Sequence, residues 1–369
     1  MRVQRAHACG AGLGYAADLL FGDPARNHPV AAFGKLAAAA ERVLWRDHRA
    51  AGAVHTALCA GGAVAAVAGT ARIAARARPA TRPARRGVDG EAGLAALAFS
   101  ACVVWTALGG ASLCAEAEAV AVALEAGDLA GARRRLPHLC GRDPEALDAD
   151  GVARAVVESV AENTSDAVVG ALLWAAVAGP AGAAGFRAVN TLDAMVGHRS
   201  PRYRRFGWAA ARLDDLAGWP GARLTALLAA LAGPAKGGAL RAWREAYGPG
   251  GRRRHPSPNA GPVEAAFAGA LGVRLGGTLA YGGRVEHRPV LGGAAAREVR
   301  TDDIARAVRL SRRVGLLALL VTAGARLAAV RAGATALGGG RVGARPGAGS
   351  GSSRNSRTNT RRTSGRGGR

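Results

Sequence analysis

The chain has 369 residues, enough for one large or two ordinary domains, and its 50 Lys and Arg against 26 Asp and Glu give a net charge of +24. Such a basic chain suits nucleic acid, an anionic membrane surface or phosphorylated substrates. Aromatic residues make up only 4% of the chain. That is too few for the base stacking used in single-stranded nucleic-acid binding, so nucleic acid is not an expected partner.

Two uncharged stretches are long enough to span a bilayer. Residues 50–71 contain only His55 as a notable polar interruption, and residues 92–115 contain no charge. As a helix, each would reach about 30 Å or more, the thickness of the hydrocarbon core. Buried helices in a soluble bundle are the alternative, but length and lack of charge favour membrane insertion. The shorter apolar segments 224–235 and 314–325 need neighbouring residues to span. We predict an all-α, polytopic membrane helical bundle.

A stripe of three carboxylates precedes a further apolar run. Glu158, Glu162 and Asp166 follow one another at four-residue steps, directly before residues 167–185. Four-residue steps place side chains on one face of a helix, where like charges repel. A solvated helix face is the alternative, but a membrane chain has few reasons to cluster acids. The stripe therefore predicts a bound cation, either Mg²⁺ or a substrate ammonium.

The stripe belongs to the clearest amphipathic helix of the sequence, residues 150–166. Asp150 is a good N-cap residue, and three valines at positions 152, 156 and 160 form a second stripe. The pattern predicts a helix with its valines on the core and its acids in a cleft.

The apolar run 167–185 is broken near its middle by Gly179-Pro180. Each half has about a dozen residues, too short to cross a bilayer, and the pair is typical of a turn. We predict a re-entrant helical hairpin packed inside protein. The chain would then return to the side it entered from, bringing Asn190 and Asp193 near the acidic stripe.

Three further polar clusters interrupt this Ala-rich chain. Asp18 to His28 contains Gly-Asp-Pro, for which a turn with a helix cap is an equal alternative. The adjacent acids Asp214 and Asp215, flanked by arginines, suit a metal–phosphate site, or else an interfacial ion-pair cluster. Residues 255–264 form a rigid, proline-containing loop typical of a binding loop. The sequence contains no P-loop, His-Glu-x-x-His or Gly-x-Ser-x-Gly motif.

The C-terminal segment differs from the rest of the chain. Residues 337–369 are rich in Gly, Ser, Thr, Asn and Arg, with eight arginines and no acid from Arg341 onward. This composition cannot bury a core, and it predicts a disordered tail after an enzyme domain of residues 1–336.

The polar clusters, in this order, resemble the CobD/CbiB family, the membrane-bound adenosylcobinamide-phosphate synthases. Gly141-Arg142-Asp143 also resembles a family element, and the resemblance covers about residues 12–320. The strings that carry it are Asp18-Leu-Leu-Phe-Gly-Asp-Pro with His28-Pro-Val, Glu158-Ser-Val-Ala-Glu-Asn-Thr-Ser-Asp166, Asn190-Thr-Leu-Asp-Ala-Met-Val-Gly197, Ala211-Arg-Leu-Asp-Asp215, and His255-Pro-Ser-Pro-Asn-Ala-Gly261 with Glu264-Ala-Ala.

The resemblance implies a multi-pass enzyme of the bacterial cell membrane that acts in cobalamin (vitamin B12) biosynthesis. Its reaction joins aminopropanol or its O-phosphate to a propionate carboxyl of adenosylcobyric acid, through an ATP-driven amide ligation. Mg²⁺ and ATP are then the expected cofactors, and the lipid bilayer and further corrinoid-pathway enzymes are expected partners. An acyl-phosphate route would need Mg²⁺, phosphate-binding cations and a base.

These needs assign expected roles to the polar residues. Candidate catalytic residues are Glu158, Glu162, Asp166, Asp193 and His28, with His28 or Glu158 as the base. Candidate metal ligands are Asp166, Asp193, Asp214 and Asp215. Candidate substrate-binding residues are Asn163, Asn190, Arg212, Arg223, Ser257, Asn259 and Glu264.

A small-solute membrane transporter is the alternative function, because intramembrane acids and a broken helix are transporter features too. A transporter predicts internal inverted repeats, and the sequence shows none. The span count, the location of the ATP pocket and the choice between the two amines stay open at this stage.

Overall fold

The structure, a computed structural model, describes residues 2–24, 28–76, 88–248, 255–281 and 284–339. The contacts divide the chain into one unit of residues 1–330 and a second of residues 331–369, and the first contains the core. Of the tail predicted for residues 337–369, only 337–339 are described, and they end the last helix. The predicted disorder therefore falls outside the described residues.

The described residues form twelve α-helices and one antiparallel β-hairpin, so the all-α prediction is confirmed apart from a small sheet that it missed. The helices are α1 (Arg2–Phe21), α2 (Pro29–Leu44), α3 (Arg49–Arg76), α4 (Val88–Ala107), α5 (Gly110–Glu125), α6 (Leu129–Arg135), α7 (Ala149–Asn163), α8 (Gly170–Val196), α9 (Trp208–Ala232), α10 (Gly238–Tyr247), α11 (Ala260–Leu271) and α12 (Asp302–Gly339). The strands are β1 (Leu275–Tyr281) and β2 (Arg284–Leu291). A π-helical segment, Thr164–Val169, joins α7 to α8.

Four segments among the described residues are long and apolar enough to cross a membrane. They are Arg49–Ala74, Gly93–Glu125, Ala149–Val196 and Asp302–Ala332. Large apolar side chains such as Leu58, Leu94 and Leu320 are exposed on these helices. Lipid is the environment in which such exposure is favourable, so the predicted polytopic membrane bundle is confirmed.

The second predicted span is not one continuous helix. α4 ends at Ala107 and α5 begins at Gly110, whereas the sequence predicted an uninterrupted helix over residues 92–115. The carboxylate of Asp18 accepts a hydrogen bond from the backbone N–H of Ala111 at 3.2 Å, in the first turn of α5. Asp18 thus satisfies a donor that the helix start leaves without an intrahelical partner.

The Gly179-Pro180 break turns the chain back on itself. Gly179 has φ 69° and ψ −156°, a backbone conformation that only glycine adopts without strain. A Cβ on Gly170 would collide with the ring of Phe186, so the two arms of α8 lie side by side. The predicted helical hairpin is confirmed.

The helix predicted for residues 150–166 begins slightly earlier. Asp148, not Asp150, is the N-cap of α7, because its carboxylate accepts the backbone N–H of Gly151 at 2.8 Å. The valine stripe of α7 is fully buried, as predicted. Against it lies α11, all twelve residues of which are buried. Its small residues permit close approach of α10, since a Cβ on Gly269 would collide with the backbone of Gly238.

Candidate active site

Five carboxylates gather where the hairpin of α8 opens. Asp166 is in electrostatic contact with Asp214, Glu162 and Asp193, and Asp193 with Asp215. Asp193 comes from the returning arm of α8, and Asp214 and Asp215 come from α9. We call these five residues the acid cluster. The sequence placed Glu162, Asp166 and Asp193 together through the hairpin, and the structure shows that arrangement with the α9 acids added.

Asp166 lies in the π-helical segment, which sequence patterns did not indicate. Thr164, at the start of the segment, donates through Oγ1 to the carbonyl of Val160 at 2.6 Å and is also 2.7 Å from Ser311 Oγ of α12. These contacts fix the wide turn against the last membrane helix. Short π-helical turns interrupt α-helices mostly at functional sites, because the inserted residue redirects neighbouring side chains. The turn marks Asp166 as a positioned carboxylate.

The α9 acids are partly shielded from water. Burial, and after it the charge of Asp193, raise the pKa of Asp214 to about 7. Asn190 opposes the shift through its amide Nδ2, 3.5 Å from Asp214 Oδ1. Burial also raises the pKa of Asp215, against the nearby guanidinium of Arg212 at 3.4 Å. Asp215 is thus paired with Arg212, whereas the group that opposes the pKa shift of Asp214 is the neutral amide of Asn190.

The donor chemistry of the acid cluster fits Mg²⁺. Among the described residues, no three His, Cys, Asp or Glu groups are close enough to hold a metal ion by themselves. Mg²⁺ does not require that, since it keeps several waters and is bound through one or two carboxylates together with substrate phosphates. Such oxygen ligands are present on two helices. Asp214 of α9 lies beside the amide of Asn190, and Asp193 follows Asn190 by about one turn on α8.

Arg187 connects the first polar string to this cluster. Its guanidinium is in electrostatic contact with Asp166, Asp23 and Asp18. Asp18 is only 1% exposed, which explains why this carboxylate needs a neighbouring cation. The Asp18–Asp23 string is therefore part of the same charged region.

Glu158 has a different environment from the other members of the stripe. It is 3% exposed, forms a buried ion pair with Arg142, and accepts the backbone N–H of Gly276 at 2.7 Å through Oε1. The cation that the sequence predicted for this position is thus an arginine of the chain itself. With both oxygens engaged, Glu158 is poorly placed for the base role expected of it.

Beside Glu158 lies a cavity of about 230 Å³, bordered by α7, α11 and β2. We call it the charged cavity. His255 Nε2 lies 3.7 Å from Glu264 Oε2 and 3.3 Å from Arg288 Nη1. Burial raises the pKa of Glu264, while the charges of Arg288 and Arg142 lower it. The ionisable residues of the wall are Arg142, Glu158, Glu162, His255, Glu264, Arg288 and Cys140.

The loop predicted over residues 255–264 ends at Asn259, because α11 begins at Ala260. A second, larger space of about 880 Å³ shares His255 and Pro256 of this loop with the charged cavity. We call it the basic groove. The guanidinium of Arg223 stacks over Trp219 at 4.7 Å and donates to Asn259 Oδ1 at 2.8 Å. Asn259 Nδ2 in turn donates to the carbonyl of Asp215 at 2.8 Å. The arginines and tryptophans of its wall are Arg199, Arg204, Arg212, Arg223, Trp208, Trp219 and Trp243.

Ser257, predicted to bind substrate, has a structural contact as well. Its Oγ accepts the backbone N–H of Asn259 at 3.3 Å and of Ala260 at 3.1 Å. It thereby satisfies donors at the start of α11, and Ser257 also borders the charged cavity.

Two other predicted residues turn away from both spaces. Asn163 Nδ2 donates to the carbonyl of Ser159 at 3.0 Å, one turn back in its own helix. His28 is the N-cap of α2, where Nδ1 accepts the backbone N–H of Val30 at 3.1 Å, and its Nε2 lies 3.9 Å from Asp23. The described contacts place His28 at a cap rather than in the acid cluster.

Comparison with known proteins matches residues 11–311 to the model of the CobD/Cbib protein family. The chain is 47% identical over 332 residues to a "Cobalamin biosynthesis protein CobD" of Mycobacterium bovis, covering 89% of this chain and 96% of that protein. It is 48% identical over 327 residues to the protein of that name from Mycobacterium tuberculosis, covering 88% and 95%. A Geobacter metallireducens protein of the same name is 45% identical over 280 residues, covering 74% and 83%.

The chain belongs to the CobD/Cbib family. No solved structure matches it. The family match contains the acid cluster, the charged cavity and the basic groove, and it ends before the Arg-rich tail.

Sequence reasoning missed two charged residues of this CobD/Cbib site. Arg187 lies on the returning arm of the hairpin and Arg288 on β2, next to His255. A signal existed for Arg187, since it is a charge just beyond a long apolar run. No local pattern marks Arg288, because its neighbours in the cavity come from distant segments of the chain.

Proposed function

We propose that this CobD/Cbib protein acts in cobalamin biosynthesis in a bacterial cell membrane. It would form an amide bond between a propionate carboxyl of adenosylcobyric acid and 1-amino-2-propanol or its O-phosphate, with ATP as the energy source. The observation that carries the proposal is the convergence of the polar strings. Segments far apart in sequence meet along one line of charged groups, from Arg187 through the acid cluster to the charged cavity.

The basic groove supports the ATP-driven half of the reaction. Arg212 and Arg223 line it close to Asp215, and guanidinium groups bind phosphate oxygens through paired hydrogen bonds. Three tryptophans, Trp208, Trp219 and Trp243, line the same groove, and aromatic rings are the usual stacking partners of a nucleobase. A space of about 880 Å³ falls within the usual size range of small-molecule sites.

The acid cluster supports charge neutralisation. Asp193 and Asp214 would hold Mg²⁺, with Asn190 orienting Asp214. When bound, Mg²⁺ would neutralise phosphate charge while a substrate carboxylate oxygen bonds to the γ-phosphorus of ATP and the bond from that phosphorus to its bridging oxygen breaks, releasing ADP. Arg212 and Arg223 would hold the phosphate oxygens in place.

The second half-reaction forms the amide. The ammonium gives up a proton to a carboxylate or imidazole, the amine nitrogen bonds to the activated acyl carbon, and the bond from that carbon to the phosphate oxygen breaks, releasing inorganic phosphate. The base must lie beside the bound amine. Since His28 caps α2 and Glu158 is paired with Arg142, the geometry favours Glu264 or His255 instead.

The test is direct formation of the corrinoid amide. Protein purified in detergent should convert adenosylcobyric acid, ATP, Mg²⁺ and either amine to adenosylcobinamide or its phosphate, detected by mass spectrometry. Asp193→Asn should abolish most of the product, and Glu125→Gln, an exposed acid on α5, should not. No product with either amine, together with uptake of a corrinoid or amine into proteoliposomes, would favour the transporter alternative.

A further inference from the structure

The charged cavity is a built site rather than a gap in packing. Its walls come from α7, α11, β2 and two loops, so distant parts of the chain must fold to close it. The charged and titratable side chains in it include Glu158 and Glu264, which are 3% and 1% exposed. Charges are buried at high free-energy cost, so proteins retain them where they are paired or where they serve a ligand.

The fixed charges of the cavity do not balance. Three carboxylates, Glu158, Glu162 and Glu264, face two guanidinium groups, those of Arg142 and Arg288. The carboxylates of the wall therefore outnumber its guanidinium groups by one, and a monovalent cation beside them would match the acids one for one.

Glu264 shows where that cation would bind. Its Oε2 is buried and accepts no hydrogen bond among the described residues, and His255 Nε2 lies 3.7 Å from it. Glu162, on the facing helix α7, has an exposed side chain that opens onto the same cavity. Two carboxylates with unused acceptor capacity, one buried and one exposed, thus face the same cavity.

Size narrows the class of ligand. A volume of about 230 Å³ holds roughly seven or eight water molecules at about 30 Å³ each. That suffices for a small amine and a few waters, and it excludes a corrin ring. Ser257 in the wall adds a polar group that suits a ligand hydroxyl.

We propose that the charged cavity is the subsite for the primary ammonium of a small amino alcohol, held between Glu162 and Glu264. The choice of 1-amino-2-propanol or its phosphate ester as that ligand rests on the proposed function. The sequence assigned either Mg²⁺ or the ammonium to Glu162, Asp166 and Asp193. In this proposal the ammonium binds between Glu162 and Glu264, and Mg²⁺ binds at the aspartates of the acid cluster.

The experiment is calorimetric binding of 1-amino-2-propanol to the purified full chain, without corrinoid or nucleotide. We expect saturable binding that 1,2-propanediol does not compete for, because this diol lacks the ammonium. Glu264→Gln should lower the affinity for the amine by about 10- to 100-fold, the range expected for loss of a charged hydrogen bond. Glu162→Gln should weaken binding similarly, and Asp193→Asn and Glu125→Gln should leave it unchanged. Aminopropanol phosphate, titrated in parallel, identifies which source of the ammonium the cavity prefers.

The outcomes separate this proposal from the proposed function. The subsite is overturned if Glu264→Gln and Glu162→Gln both bind the amine as tightly as the wild type. It is also overturned if only Asp193→Asn loses binding, because the ammonium would then bind at the hairpin. No heat with either amine at about 10 mM, above the usual KM range of about 1 μM to 1 mM, also overturns it. Glutamate-dependent binding without amide formation supports the subsite and refutes the ligase. If Glu264→Gln is not monodisperse by size-exclusion chromatography, the amine affinity of Glu162→Gln becomes the test of the subsite.

Discussion

The basic groove and the charged cavity share His255 and Pro256 in their walls, yet they treat charge in opposite ways. In the groove the side chain of Arg212 is 66% exposed, and the positive charges outnumber the one acid, Asp215. In the cavity Arg142 and Glu158 are 4% and 3% exposed, and opposite charges lie in contact. Water screens an excess of charge on exposed side chains much more strongly than on buried ones.

This difference decides what each space can bind. An open groove with surplus arginines attracts polyanions from solution, and its charge does not have to be cancelled when the site is empty. The buried charges of the cavity must be paired with one another, so a carboxylate left without a hydrogen-bond donor, such as Glu264 Oε2, is the group open to a ligand. The two halves of the proposed reaction therefore use neighbouring compartments of different electrostatic character.

The largest expected effect concerns the internal pairing of the cavity. Arg142→Ala would leave Glu158 buried and without its partner cation, which destabilises proteins by about 3–5 kcal/mol. Unfolding by SDS or heat in detergent should detect this loss. The matched control is Arg134→Ala, whose side chain is 72% exposed.

Arg134→Ala should change stability by no more than about 0.5 kcal/mol. Adding Glu158→Gln to Arg142→Ala should restore part of the loss, because the uncompensated charge is then removed. Equal stability of the two single arginine variants would mean that the cavity does not depend on internal charge pairing, and the contrast with the groove would fail.

The next effect tests the boundary between the acid cluster and the cavity. Asp214→Asn removes a carboxylate proposed to hold Mg²⁺ and should lower kcat for amide formation by about 10²- to 10³-fold, the range for losing one group that stabilises developing charge. Binding of the amine alone should be unchanged, because the cavity is intact. A parallel loss of amine affinity would show that the two cation sites are one.

Only part of this arrangement could be predicted from the sequence. The Gly179-Pro180 turn and the carboxylate stripe are local patterns, and local patterns fix a hairpin and a helix face. The partners of Glu158 are not local, since the Gly276 N–H comes from 118 residues away. The stripe therefore predicted that a cation was needed but not that Arg142 supplies it at Glu158.

A smaller effect is expected in the groove. Arg223→Gln removes a guanidinium that contacts Asn259 and stacks on Trp219, and it should raise the KM for ATP by about 10- to 100-fold, with amine binding unchanged. Arg241→Ala, an exposed arginine of α10 outside the groove wall, is the control. An unchanged KM in Arg223→Gln would remove the phosphate role from the groove.

The smallest effect concerns the hairpin that brings Asp193 back to Asp166. Gly179→Ala forces a side chain into a backbone conformation that essentially only glycine adopts, at a cost of about 1–3 kcal/mol in unfolding free energy. The nearest atom that the new Cβ would meet is 3.7 Å away, so the loss would come from backbone strain and not from a clash. Gly324→Ala in α12 has open space around it and should be neutral or stabilising by up to about 1 kcal/mol. Because this turn brings Asp193 back to Asp166, Gly179→Ala should also raise the Mg²⁺ concentration needed for half-maximal amide formation. The affinity of the charged cavity for the amine should not change.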